Sequence, residues 1–267
     1  MKTLYLKELK RGRKAFFIWT AIVIAFTVMV LSIYPFMEGM GDDLTNMMRN
    51  IPDELRKAMG MDEQTWGSIL GFYSTYFGIY IVLLTGIYAM STGATILSKE
   101  EKEKTAEFLL TRPLSRQSIF TTKMVSLYTL TLAIIVLQAI VAAISFSVAA
   151  ETAVDWGNFV TMHIHGAVLI LFFTALGVLL SLFLNTKTNF MGLVFGIIFG
   201  SYFLNAISKA TEETEWMGYM SPFNYVDFNV GDPNYSLNSW SIVVLLVLAM
   251  SFILWAASRY KNRDIAD

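Results

Sequence analysis

Residues Ala15–Phe36 read AFFIWTAIVIAFTVMVLSIYPF, 22 residues without a lysine, arginine, aspartate or glutamate. A helix crosses the hydrocarbon of a bilayer with about 20 mostly apolar residues, so this stretch can span one by itself. Its apolar run is longer than that of an export signal, and no small-x-small cleavage pattern follows before Pro35. It reads as an anchor. Outward from it, the same signature recurs at Ile69–Leu97, Met124–Ala150, Phe159–Leu184, Phe190–Ser208 and Trp240–Ala257, of 29, 27, 26, 19 and 18 residues, none carrying an acid, a lysine or an arginine. The chain of 267 residues is 55% hydrophobic and 15% charged, where a soluble domain carries about 25% charged residues. The expected fold is all-α: one membrane domain over residues 1–267 with six transmembrane helices. No connecting segment is long enough for a separate soluble domain.

The charges lie between the spans and sort by side. With the N-terminus inside, the inner segments 1–14, 98–123, 185–189 and 258–267 hold 16 of the 20 lysines and arginines and 7 of the 21 acids. The outer segments 37–68, 151–158 and 209–239 hold 4 and 14. Positive charge gathers on the cytoplasmic side of membrane proteins, so both termini are expected in the cytoplasm and the chain in the cell membrane. Met1–Lys14 interleaves Leu4, Tyr5, Leu6 and Leu9 with six cations. This pattern predicts an amphipathic interfacial helix on the anionic leaflet.

Composition excludes several functions. A formal net charge of −1 argues against nucleic-acid binding. The absence of cysteine removes disulfides, thiolate metal sites and thiol nucleophiles. Spans without aspartate, glutamate, lysine or arginine lack the groups that ion-coupled transporters and intramembrane hydrolases need at depth. His163 and His165 are two apart, do not share a helix face, and read as interfacial residues rather than a metal pair. No glycine is followed by lysine, so the phosphate-binding pattern GxxxxGK[ST] cannot occur. The chain is therefore no enzyme and binds no cofactor of its own, and active transport would need another polypeptide to bind ATP and Mg²⁺.

The inner segment 98–123 carries the strongest functional signal. A span of 29 residues is about 43 Å long, so the second should tilt or protrude inward, with Lys99–Lys104 extending it. Phe108, Leu109 and Leu110 then stand between charged flanks. Pro113 should stop the helix near Arg112, and Ser115 can cap a short one after it. Such an apolar triplet fits either a groove on a partner protein or the lipid headgroup layer.

The run Glu103-x-x-x-Glu107-Phe-Leu-Leu-x-x-Pro113-x-Ser115-Arg116, with Lys123 opening the third span, resembles the loop after the second span in ABC-2 type transporter permeases. That family often shows Gly-Thr-Leu-Glu-x-Leu-Leu-x-x-Pro-x-Ser-Arg there. Here Lys104 and Ala106 replace the glycine and leucine, while Thr105, Glu107, Leu109, Leu110, Pro113 and Arg116 match. Ser221-Pro222-Phe223 is similar to a Ser/Thr-Pro-Phe element common before the last span. The resemblance implies a permease subunit, its partners being a second permease copy and a separate ABC ATPase that holds ATP and Mg²⁺. It also implies an exporter whose coupling contact comprises Thr105, Glu107, Phe108, Leu109, Leu110, Pro113 and Arg116.

Other features have two readings each. Gly192, Gly196 and Gly200 recur every four residues and allow close helix packing, within or between subunits; the resemblance puts the fifth span near a dimer seam. Tyr73, Tyr76 and Tyr80 fall at i, i+3 and i+7 of one face, and with Asn205 they are candidates to line a cargo path, or else aromatic-belt anchors. A charge-free path suits amphipathic or hydrophobic cargo. The outer methionines Met37, Met40, Met47, Met48, Met59 and Met61 offer soft ligands for Cu(I), which keeps open a permease of a copper-enzyme maturation system, or else simply pack. A membrane scaffold or sensor that recruits a cytoplasmic partner is the remaining alternative. The segment 209–239 is expected to form short outer helices over the spans.

Overall fold

The computed structural model describes residues 2–39, 50–52, 55–56, 68–98, 115–150, 153–183 and 190–261. Six helices are long and apolar enough to cross a membrane: α1 (Lys2–Gly39), α2 (Ile69–Ile96), α3 (Arg116–Ala149), α4 (Trp156–Leu180), α5 (Phe190–Ser208) and α6 (Ser239–Lys261). Among the described residues there is no strand. Between α5 and α6 lie two 3₁₀ segments, Glu212–Met220 and Pro222–Tyr225.

Three helix starts are fixed by side-chain oxygens. Ser68 accepts from Gly71 N at 3.0 Å, Ser115 from Ser118 N at 3.1 Å, and Asp155 from Asn158 N at 3.0 Å. Each satisfies one amide that the helix itself leaves open. Ser115 caps a helix as expected, but the helix is not short: it runs unbroken into the third span. The N-terminal segment is likewise helical and continuous with the first span. Lysine and arginine are good helix formers, so neither helix has a reason to stop where hydrophobicity does. At its start, α1 crosses α3: Tyr5 OH donates to Thr129 Oγ1 at 3.3 Å, while Gly12, two turns later, packs on neighbouring Leu130. Leu4 and Glu8 are buried on that side, Glu8 paired with Arg11 at 3.3 Å.

The core is built on α4, which packs against α2 on one side and α6 on another. The closest approach is made by glycines. A methyl group at Gly93 of α2 would sit 2.7 Å from Thr174 O, and one at Gly177 of α4 would run into the carbonyl of Met90. With no side chains between them, the two backbones nest directly. Around this contact, α1 and α3 pack on each other and on α2, and α5 reaches the core through α2.

Candidate functional site

At one end of the bundle, α2 and α3 hold the two roots of the segment 98–123, expected from the charge pattern to lie inside. Lys123 is fully buried, and its Nζ donates to the carbonyl of Ile96, the last residue of α2, at 2.7 Å. Leu97, Phe120, Met124, Leu127, Val178, Ala256 and Tyr260 form a small second core beside it, drawn from α2, α3, α4 and α6. Phe120 and Tyr260 have ring centroids 5.8 Å apart. Of the residues expected to couple to an ATPase, Arg116 opens α3. Thr105, Glu107, Phe108, Leu109, Leu110 and Pro113 lie outside the described residues, as do the outer methionines Met40, Met47, Met48, Met59 and Met61.

Within the spans the three tyrosines do not share a face. Phe77–Ile81 forms a π-helical turn inside α2, and its wider winding rotates the later turns of that helix relative to the earlier ones. Tyr73 is buried, receives a hydrogen bond from Gln138 Nε2 at 2.5 Å, and packs edge-on against Phe146 at 5.2 Å. Gln138 Nε2 also reaches Thr27 Oγ1 at 3.5 Å, joining α1, α2 and α3 through buried polar groups. Tyr80 is 44% exposed and stacks on Tyr76 at 6.0 Å. Tyr80 thus faces outward, Tyr76 is half-buried against the core, and Tyr73 lies inside it.

Both histidines are buried, and they lie on different faces of α4. His163 sits among Tyr73, Phe77 and Phe159 with Nδ1 donating to Phe159 O at 2.8 Å. His165 meets Tyr235 OH of the outer segment at 3.4 Å. Sequence spacing separates them correctly, but helix position alone cannot show that the outer segment folds down over them. Tyr235 in turn donates to Asp227 O at 3.2 Å. Burial, and then the Asp227 carboxylate, push the Tyr235 hydroxyl well above the ordinary range for tyrosine, which keeps it a donor. Among the described residues no three metal-ligating side chains converge.

The same outer segment seats itself between spans. Ser221 Oγ donates to Ser201 O of α5 at 2.7 Å and accepts from Phe223 N at 3.2 Å. Phe223 then packs between Phe173 of α4 and Tyr202 of α5, each at 5.7 Å. Phe228 lies against the π-turn, over Gly78 and 5.7 Å from Phe77. Asn205 is buried on α5, its Oδ1 without a hydrogen-bond partner among the described residues. Gly192, Gly196 and Gly200 meet nothing: no described atom lies within 4 Å of where their Cβ atoms would stand.

The arrangement is a helical membrane body whose 209–239 segment caps α4 and α5 and whose α2 and α3 are braced together through Lys123. The family model for ABC-2 family transporter proteins matches residues 2–265. No curated protein and no solved structure matches the chain.

Proposed function

The chain belongs to the ABC-2 family of transporter proteins, and from that premise we propose that this permease subunit exports amphipathic or hydrophobic cargo. A separate ATPase binds ATP and Mg²⁺ and drives the subunit through the 98–123 loop. Two copies pair in the cell membrane with all termini in the cytoplasm. The match over residues 2–265 carries this reading. It is supported by six spans free of acids, lysines and arginines, and by the lack of any Gly-Lys step for a phosphate loop. Exposed Tyr80, stacked on half-buried Tyr76, offers an uncharged aromatic surface of the kind such a cargo would slide along.

The loop would receive the ATPase on Glu107 and the triplet Phe108–Leu110, whose apolar side chains stand among charges. The test is co-expression with a P-loop ATPase and recovery of the pair on an affinity tag. Glu107→Lys combined with Phe108→Ala, Leu109→Ala and Leu110→Ala should strip the ATPase from the permease and stop ATP-dependent transport into inverted vesicles. Full co-purification and undiminished transport by that variant would sink the coupling assignment. A wild-type pair that binds but moves no cargo would favour a scaffold instead.

A further inference from the structure

Among the described residues Lys123 is the one lysine or arginine that is fully buried. A lysine is almost never found there without a partner, and here the ammonium donates to Ile96 O at 2.7 Å. That carbonyl belongs to the last turn of α2, where backbone acceptors have no partner within the helix and the helix end favours a cation. This bond caps α2 and helps fasten it to α3. The residues it joins are 27 apart in sequence, and the chain between them is the inner loop.

Volume alone does not call for a charge in this place. Methionine would fill much the same space without the cost of desolvating an ammonium, and buried ions exchanged for well-packed apolar groups often leave stability unchanged or higher. What the ammonium adds is direction: it holds one backbone carbonyl at one distance, whereas apolar contacts tolerate sliding. The small core beside it, with Phe120 on Tyr260 and Val178 in the same cluster, attaches α4 and α6 to the same point.

We propose that Lys123 is a positioning residue for coupling. It locks the exit of α2 to the entry of α3, so that a push on the loop moves both helices together and carries α4 and α6 with them. The proposal rests on the loop's being the ATPase contact, and adds the place where force enters the membrane body.

The test uses the full permease in complex with its P-loop ATPase, and compares Lys123→Met with Lys123→Arg. Because the chain has no cysteine, nitroxide labels at Thr95→Cys and Thr121→Cys report the separation of the two roots without background. In the parent and in Lys123→Arg the distance distribution should be narrow, and in Lys123→Met broad. Lys123→Met should still co-purify with the ATPase but lose at least about fivefold of the ATP turnover that depends on the permease, the lower end of ordinary coupling factors. Lys123→Arg should recover most of it. A narrow distribution in Lys123→Met, or unchanged turnover whatever the distribution, overturns the proposal. Should Lys123→Met fail to fold, Phe120→Ala loosens the same root and is read by the same two measurements. Failure of the underlying coupling reading is separate: it shows as ATPase binding that survives the Glu107 and Phe108–Leu110 substitutions while the label distances still respond to Lys123.

Discussion

A single methyl group at Gly177 would collide with the carbonyl of Met90, and one at Gly93 would press on the carbonyl of Thr174. Both obstacles are backbone, which cannot rotate away as a side chain can, so the helices themselves must part. Overpacking of this kind costs about 1–3 kcal/mol. Gly177→Ala should therefore lower the thermal unfolding midpoint of the purified permease in detergent, while Gly192→Ala, with open space around it, should not. Equal behaviour of the two would mean that the α2–α4 contact is not the tight one. Neither Gly93 nor Gly177 stands out in the sequence, because the partner that makes each necessary is on another helix. The row Gly192, Gly196 and Gly200 does stand out, and among the described residues nothing lies within 4 Å of where its Cβ atoms would stand. Periodicity announces a smooth helix face; it does not say what lies against it. Lys123 is legible as a charge at a span boundary, whereas its burial depends on how four helix ends converge.

At the scale of elements, every span is readable because crossing hydrocarbon demands a long apolar run that little else in a protein requires. Their ends are less so. α1 and α3 begin well before hydrophobicity does, since polar helix formers carry the winding onward. The π-turn at Phe77–Ile81 leaves no periodic trace, and its wider winding turns Tyr80 away from Tyr73, which a regular helix would have held nearer one face. Sequence also cannot rank the spans as central or peripheral. Lipid tails are as apolar as leucine, so buried α4 and exposed α5 carry the same kind of residues. On α5, Leu193, Phe195, Phe199, Phe203 and Ile207 are exposed alongside the glycine row. A Cβ at Gly196 meets no described atom within 4 Å, so a defect in Gly196→Leu points to a contact beyond those residues. Gly196→Leu should leave the unfolding midpoint in place and shift the permease from dimer to monomer in its detergent-corrected mass. A dimer that persists unchanged would remove α5 from the subunit contact.

Over the whole molecule, a formal net charge of −1 conceals two opposed surfaces. Cations crowd one set of connecting segments and acids the other, with uncharged spans between, and this separation should orient the chain because lysine and arginine near span ends resist translocation. The crossing count then sets the rest: six crossings return the C-terminus to the side of the N-terminus, and the outer cap over α4 and α5 should lie on the opposite side. The cysteine-free chain makes this directly measurable. Thr3, Glu213 and Lys261 are exposed positions at the N-terminal end, in the outer 3₁₀ segment and at the C-terminal end. In sealed, outward-facing vesicles a membrane-impermeant maleimide should label Glu213→Cys at once, and Thr3→Cys and Lys261→Cys only after permeabilisation. Labelling of Thr3→Cys and Lys261→Cys on opposite sides would mean that one of the six helices does not cross. Early labelling of both, with Glu213→Cys protected, would invert the molecule and place the braced loop, and Lys123 with it, out of reach of any ATP-driven partner.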